Sequence, residues 1–301
     1  MLVLDALPPP PKPTTIGHEA TGEIVTVGSK VQGFKVGDKI GFINAYRACF
    51  NCSGCSSHYL YCSNKDFQMQ GFVIDGYFQE YSIIDPGTAI VLPEGMDATK
   101  AAPLFCAGIT AYHGVTKAGL KPGQWMAIIG CGGLGQLAIR YAKTMQLKVI
   151  AVDVDDKVLS LAEEAGVEHT FNSRSNPKYL EELHSATNGG ADAVVVFTAV
   201  KAGYDCAPKT LRIGGNLVCV GCPPNDVAFS AMDIAFEKYH VLGASNHATP
   251  AMLKEFAQFS LKHGIESPSR FYEIDQIERM VDCMLQHKTE GNRLAVVFSR
   301  V

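Results

Sequence analysis

The chain has 301 residues, of which 47% are hydrophobic and 19% are charged, and its formal net charge is −4. This length exceeds what one hydrophobic core usually supports, so we expect two domains. The acidic balance, without a basic block or stripe, argues against a nucleic-acid or membrane-surface partner.

The N-terminal third is predicted to form short strands separated by turns. Segments rich in β-branched and aromatic residues lie between Gly, Asp or Pro: GEIVTVGSKV (22–31), VGDKIGFI (36–43), GYFQEYSIID (76–85) and AIVLPEG (89–95). This spacing predicts an antiparallel barrel or sandwich of modest size.

Four of the ten cysteines fall within this region in one short run, spaced C-x2-C-x2-C-x6-C: Cys49, Cys52, Cys55 and Cys62. Four thiolates on one loop can complete a tetrahedron around Zn²⁺ without distant residues, and such a closed site holds a loop rather than doing chemistry. In a reducing compartment a cluster of this kind is more typical of a metal than of disulfides. No apolar run reaches a membrane-spanning length and no signal peptide opens the chain, so we expect a cytoplasmic protein.

From about residue 103 the chain alternates apolar strands with helical segments. The predicted strands are WMAIIG (125–130), KVIAVDV (148–154), ADAVVVFTA (191–199), GNLVCVGC (215–222) and HVLGAS (240–245). Helices are predicted over about 133–146, 156–166 and 250–264. Alternating strands and helices favour a parallel sheet covered on both faces.

The first of these strands is followed by a glycine fingerprint. Gly130, Gly132 and Gly135, with Gly133 and Leu134 between the last two, form G-x-G-x-x-G at a strand-to-helix turn. Such glycines allow a tight turn, the approach of a pyrophosphate and close helix packing. Asp153 ends the next strand, where a carboxylate can bind both ribose hydroxyls and repel a 2′-phosphate, which favours NAD(H). The cation Lys157 can reach the same region and weakens this preference, and a turn that binds no nucleotide is the alternative.

Together these features resemble the zinc-dependent alcohol dehydrogenases of the medium-chain dehydrogenase/reductase superfamily. The resemblance is carried by GHEATGEIVTVGSKVQGFKVGDKIG, the cysteine loop, DGYFQEY, LPEG, APLFCAGITAYHGV, GCGGLG and GNRLAVVF. It implies an α/β protein with a GroES-like β-barrel domain (1–105 with 265–301), incomplete at the N-terminus, and a Rossmann domain (106–264).

The resemblance also implies roles for single residues. His18, Glu19 and Cys106 match ligands of a catalytic zinc, Thr110 matches a residue beside the nicotinamide, and Arg293 matches a partner of the cofactor pyrophosphate. A further cysteine ligand and a proton-relay hydroxyl of the family lie before the GHE motif and have no counterpart here. His18 and Glu19 are therefore either ligands of a three-residue zinc site or relics in a metal-free cleft.

Two functions remain open at this point. The resemblance implies an NAD(H)-dependent zinc enzyme that interconverts an alcohol with an aldehyde or ketone, acting on a small molecule and assembling as a dimer or tetramer. The alternative is a descendant of such enzymes that has lost redox activity and serves as a binding module or catalyses a cyclisation, dehydration or isomerisation.

Overall fold

The structure is a computed structural model that describes residues 13–286 and 288–298. The strands are β1 (Ala20–Glu23), β2 (Lys39–Phe42), β3 (Ala45–Tyr46), β4 (Gln68–Met69), β5 (Ala89–Val91), β6 (Trp125–Ile129), β7 (Lys148–Asp153), β8 (His169–Asn172), β9 (Ala191–Val196), β10 (Leu211–Cys219), β11 (Tyr239–Gly243), β12 (Ser269–Glu273) and β13 (Arg293–Val297). The α-helices are α1 (Ser53–Ser57), α2 (Ala98–Ala101), α3 (Ala107–Lys117), α4 (Gly133–Thr144), α5 (Asp156–Glu164), α6 (Tyr179–Thr187), α7 (Lys201–Thr210), α8 (Ala231–Ala235), α9 (Pro250–Lys262) and α10 (Ile277–Leu285). Over these residues no helix combines the length and apolar character needed to cross a membrane.

The described chain divides into two compact units. Unit 1 contains the residues up to Ile109, those from Asn246 to Lys288 and those from Arg293 onward, and unit 2 contains Thr110–Ser245 and Thr289–Asn292. From the sequence we expect residues 246–264 in the Rossmann domain, whereas in the structure they belong to unit 1. The reason is packing: α9 contacts β5, and the Tyr59 backbone N–H donates to His247 Nδ1 at 3.2 Å.

Unit 2 is built on a six-stranded sheet in the order β11-β10-β9-β6-β7-β8, and every pair in it is parallel. Adjacent residues of a strand point to opposite faces, yet Val194 and Val195 of β9 are both fully buried. Helices therefore cover both faces, as the sequence predicts. Counted from β6, the strand order is that of dinucleotide-binding folds, and this order reverses between β6 and β9, where such folds bind their ligand.

Unit 1 carries small sheets in the region where the sequence predicts a barrel or sandwich. β1 pairs antiparallel with β2 from Ala20↔Phe42 to Glu23↔Lys39, and β2 pairs antiparallel with β5. β3 and β4 form a short antiparallel pair, and β12 and β13 a parallel pair. Phe42 and Tyr77 meet edge to face in a small core beneath the first sheet.

The segment 76–85, expected as a strand, is irregular in the structure. Its first residues instead hydrogen-bond to the backbone just before His18: Gly76 to Thr15, Tyr77 to Gly17 and Phe78 to Ile16. A Cβ on Gly76 would lie 2.1 Å from the Gly17 carbonyl oxygen. The two backbones are thus too close for an ordinary side chain, and this contact fixes the extended segment that presents His18 and Glu19.

Candidate functional site

The four cysteines of the loop converge on one point in unit 1. Cys52 caps the N-terminus of α1, its sulfur accepting the Cys55 N–H at 3.4 Å. All four Sγ atoms lie within 4.8 Å of one another. The Cys49–Cys62 and Cys49–Cys55 sulfur distances are 3.6 and 4.0 Å. A tetrahedron with Zn–S bonds of about 2.3 Å has edges of about 3.8 Å, so this set fits Zn²⁺.

Backbone N–H groups point at these sulfurs and favour the thiolate form. Hydrogen bonds from Ser63, then from the Cys55 N–H, lower the pKa of Cys52 to about 5. Burial opposes ionisation of Cys62, but N–H groups of Cys49 and Asn64 bring its pKa below the ordinary value. Burial raises the pKa of Cys55 to about 12. The lowered pKa values of Cys52 and Cys62 ease the formation of thiolates, the form that binds a metal ion.

A second group of metal-binding side chains lies elsewhere in unit 1. One ligand atom each of His18, Glu19 and Cys106 falls within a 4.8 Å cluster. His18 and Glu19 come from the segment before β1, and Cys106 lies between a 3₁₀ turn (Ala102–Phe105) and α3. An imidazole, a carboxylate and a thiol form a donor set suited to Zn²⁺, and three protein ligands are the usual number where a position stays open for substrate.

Two further side chains bind this cluster. The Arg293 guanidinium forms a short ion pair with Glu19 Oε1, and Asn246 Nδ2 lies 3.6 Å from Cys106 Sγ. Arg293 Nε is buried without a hydrogen-bond partner among the described residues. Neither contact has a signal in the sequence, because Asn246 and Arg293 lie 140 and 274 residues from their partners.

Burial controls the protonation of this cluster. It lowers the pKa of His18, although the Glu19 carboxylate works in the opposite direction. It raises the pKa of the Cys106 thiol, and Glu19 raises it further. Burial would lower the pKa of Arg293, but Glu19 reverses the sign and keeps the guanidinium charged. These shifts favour a neutral His18 imidazole, a protonated Cys106 thiol and a charged Arg293 guanidinium.

A cavity of about 1400 Å³ opens on this cluster within unit 1. Its lining includes the polar side chains of His18, Glu19 and Arg293. Apolar side chains of β2, β13 and α10 also line it, among them Phe42, Val296 and Met284. A polar cluster in a mostly apolar cavity is typical of small-molecule sites.

The glycine fingerprint occupies its predicted place in unit 2. Gly130 follows β6 with φ +89°, Gly132 caps α4, and Gly133 and Leu134 open that helix. A Cβ on Gly135 would lie 2.2 Å from the Gly130 carbonyl oxygen, whereas a Cβ on Gly132 would meet nothing within 4 Å. Gly135 thus serves helix packing, while the space in front of Gly132 is open for a ligand.

Asp153 lies beside this turn. Its Oδ2 accepts the Cys131 N–H at 2.6 Å, and its Oδ1 accepts the N–H groups of Val154 and Asp155 at 2.7 and 3.2 Å. Lys157 Nζ is 2.6 Å from Glu290 Oε1, a partner that the sequence did not indicate. The remaining predicted cofactor residue, Thr110, is buried in α3.

Comparison with known proteins finds two family profiles in the chain. Residues 133–262 match the profile of a family described as zinc-binding dehydrogenase, and residues 2–94 match the alcohol dehydrogenase GroES-like domain. The chain is 34% identical over 285 residues to an alcohol dehydrogenase of Geobacillus stearothermophilus, covering 94% of this chain and 82% of the relative. It is 35% identical over 283 residues to an alcohol dehydrogenase of Moraxella sp. (strain TAE123), with the same coverage.

Solved structures agree with this fold. An alcohol dehydrogenase of the archaeon Aeropyrum pernix superimposes with a TM-score of 0.85 at 29% identity, covering 95% of this chain and 83% of that one. An acetophenone reductase of Geotrichum candidum in complex with NAD superimposes with a TM-score of 0.83 at 22% identity, covering 99% and 86%. The predicted combination of a Rossmann sheet with a GroES-like domain is confirmed.

Proposed function

The chain belongs to the zinc-dependent alcohol dehydrogenases of the medium-chain dehydrogenase/reductase superfamily, and we propose that its catalytic centre is the cluster of His18, Glu19 and Cys106. The reaction is the transfer of a hydride between an alcohol carbon and NAD(H), which interconverts a small alcohol with an aldehyde or ketone. The observation that carries the proposal is the convergence of these three donors within 4.8 Å, where His18 and Glu19 line a largely apolar cavity.

Two zinc ions fit two different roles. Cys49, Cys52, Cys55 and Cys62 would hold one ion in a closed site that fixes their loop, and His18, Glu19 and Cys106 would hold the other. A zinc ion held there with one open position would supply Lewis-acid polarisation of a carbonyl or alcohol oxygen, and NAD(H) would supply the hydride acceptor or donor. Neutral His18 offers a nitrogen lone pair, and Asn246 orients the Cys106 sulfur.

The glycine turn, Asp153 and Thr110 of unit 2 are the proposed cofactor-binding residues of that unit. The N–H groups at the start of α4 suit a pyrophosphate, and Gly132 leaves the backbone open to it, since a Cβ there would meet nothing within 4 Å. The Asp153 carboxylate, fixed by three backbone N–H groups, suits the hydroxyls of an adenosine ribose and disfavours NADP(H). Thr110 is the proposed neighbour of the nicotinamide. Arg293, with a buried Nε that has no partner in the described chain, is the proposed partner of the pyrophosphate.

We also propose that the protein is a cytoplasmic homo-oligomer. All ten cysteines lie in the described residues and are free thiols, as suits a reducing compartment. β11 is an edge strand of the unit 2 sheet, and large apolar side chains next to it are exposed, including Ile213 (77%) and Phe236 (80%). An exposed edge beside an apolar patch suits pairing with a second copy.

Zinc per chain, measured by elemental mass spectrometry on protein purified without added metal, tests the catalytic centre. We expect two zinc ions in the natural chain and one in Cys106→Ser. The control Cys222→Ser changes an exposed thiol outside both clusters and should keep two. NADH formation with a panel of primary and secondary alcohols is measured on the same samples.

This experiment distinguishes the dehydrogenase from the non-redox alternative. Loss of one zinc together with loss of NADH formation in Cys106→Ser supports the dehydrogenase. One zinc in the natural chain, unchanged by Cys106→Ser and accompanied by no NADH formation, would instead favour the non-redox alternative.

A further inference from the structure

A four-residue turn, Thr289–Asn292, belongs to unit 2 although the residues on both sides of it belong to unit 1. The Asn292 N–H donates to the Thr289 carbonyl at 2.9 Å, and its side-chain amide donates to the carbonyls of Thr289 and Glu290, both at 3.2 Å. Glu290 adopts φ +49°, a left-handed conformation uncommon outside glycine. Three hydrogen bonds within the turn therefore support a backbone conformation that costs free energy.

Gly291 fixes where this turn lies. Its φ is +78°, and a Cβ on it would lie 2.8 Å from Leu161 Cδ1 and 3.3 Å from Val158 Cγ1, both on α5. The same Cβ would lie 3.6 Å from Gln136 Cγ on α4. The turn thus packs where α4 and α5 meet.

Gln136 connects this place to the glycine fingerprint. Its buried amide donates to the Cys131 carbonyl at 2.9 Å and to the Val158 carbonyl at 3.0 Å. Cys131 lies inside the fingerprint, and its N–H is the one bound by Asp153. The turn is therefore held against the same framework that positions the glycine loop and the predicted ribose-binding carboxylate.

From this position Glu290 binds Lys157, in the first turn of α5. Their side chains form an ion pair of 2.6 Å, with Lys157 72% and Glu290 43% exposed. Asp155 also faces Lys157, since Asp155 Oδ1 accepts the Lys157 N–H at 2.9 Å. Lys157 follows Asp153 by four residues, at the end of the cofactor site where a 2′-phosphate would distinguish NADP(H) from NAD(H).

We propose that Glu290 is a specificity-determining residue for the cofactor: it neutralises Lys157, so that a 2′-phosphate meets the Asp153 carboxylate without a compensating cation. This inference rests on the proposed role of Asp153 at the adenosine ribose. It resolves the ambiguity that Lys157 introduces in the sequence, because the lysine is engaged by a carboxylate 133 residues away.

The test compares adenosine 5′-monophosphate with adenosine 2′,5′-bisphosphate, which differ by the 2′-phosphate, by calorimetric titration at low salt. Glu290→Gln should improve the affinity for the bisphosphate relative to the monophosphate about threefold, the size expected when one exposed charge pair is exchanged for another. Lys157→Gln alone should lower the relative affinity for the bisphosphate, since it leaves the Glu290 carboxylate without its cation. Lys157→Gln combined with Glu290→Gln should abolish the gain.

Asp205→Asn is the matched control. It frees Lys201 from an exposed ion pair in the same unit and alters net charge by the same amount, so it should not change the ratio. Equal gains for both ligands in Glu290→Gln, or a gain that persists in the double variant, would overturn the proposal. If the natural chain binds the monophosphate but Glu290→Gln leaves the ratio unchanged, only this inference fails. If the natural chain binds neither ligand, the proposed cofactor site fails with it.

Discussion

Two glycines of the fingerprint, three residues apart, should respond to the same substitution in opposite ways. In Gly135→Ala the new Cβ would lie 2.2 Å from the Gly130 carbonyl oxygen, about 1 Å closer than an ordinary van der Waals contact. The oxygen belongs to the backbone, so it cannot move aside as the end of a flexible side chain can. Overpacking of this kind costs about 1–3 kcal/mol. Against this, replacing glycine by alanine inside a helix raises the free energy of unfolding by up to about 1 kcal/mol. We therefore expect Gly135→Ala to lower the free energy of unfolding of unit 2 by about 1–2 kcal/mol.

Gly132→Ala should leave stability nearly unchanged. Gly132 has φ −64°, which any residue adopts, and its Cβ would meet no protein atom within 4 Å. The methyl group would instead occupy the space where a pyrophosphate approaches the backbone. We expect NADH affinity to fall at least about tenfold, the effect of losing about 1.4 kcal/mol of binding free energy.

Urea unfolding followed by circular dichroism and NADH titration followed by fluorescence measure the two effects. With a urea dependence of about 2 kcal/mol per molar, Gly135→Ala should move the unfolding midpoint down by about 0.5–1 M. Equal loss of stability in both variants would show that the fingerprint geometry is wrong. Unchanged NADH affinity in Gly132→Ala would show that the cofactor does not lie on this turn.

Three further predictions concern stability. Gly41→Ala places a Cβ 1.9 Å from the buried Phe105 ring and should cost at least about 2 kcal/mol in urea unfolding, whereas Gly22→Ala, on the neighbouring strand with nothing within 4 Å, should not. Burial raises the pKa of Glu168, but Lys143 and the Val149 N–H outweigh it and lower the pKa overall. Glu168→Gln should therefore cost about 0.5–1 kcal/mol at pH 7, and the difference from the natural chain should shrink as the pH falls below 4; a constant difference would refute the assignment. Burial, and then His247, lower the pKa of His58 to about 4, so the unfolded chain takes up a proton first and the natural protein should lose stability from about pH 6.5 downward. His58→Asn, which keeps an acceptor for the Leu60 N–H, should make the urea midpoint less sensitive between pH 7 and pH 5.

The elements that sequence reasoning identified are those whose signals are local. β6, α4 and β7 lie within two residues of their predicted bounds, because an apolar run, a glycine turn and a helix follow one another. β8 was missed because it is a sheet edge with only Phe171 buried. α7 was missed because Pro208 within it ordinarily signals a helix end.

The same distinction applies to the candidate site. The four-cysteine cluster is predictable because its ligands share one loop, and the glycines because they share one turn. The contacts of Glu19 with Arg293, Cys106 with Asn246, and Lys157 with Glu290 join residues 133 to 274 positions apart. No short-range pattern specifies them, since they arise from the packing of each unit.

The ion pair between Glu19 and Arg293 links the two proposed roles of these residues. The Glu19 carboxylate can bind the guanidinium, here through Oε1, or offer an oxygen to a metal ion, and Arg293 can bind either Glu19 or a phosphate. A zinc ion on Glu19 and the Arg293 guanidinium would thus compete for one carboxylate, so the ion pair opposes metal binding unless Arg293 takes another partner.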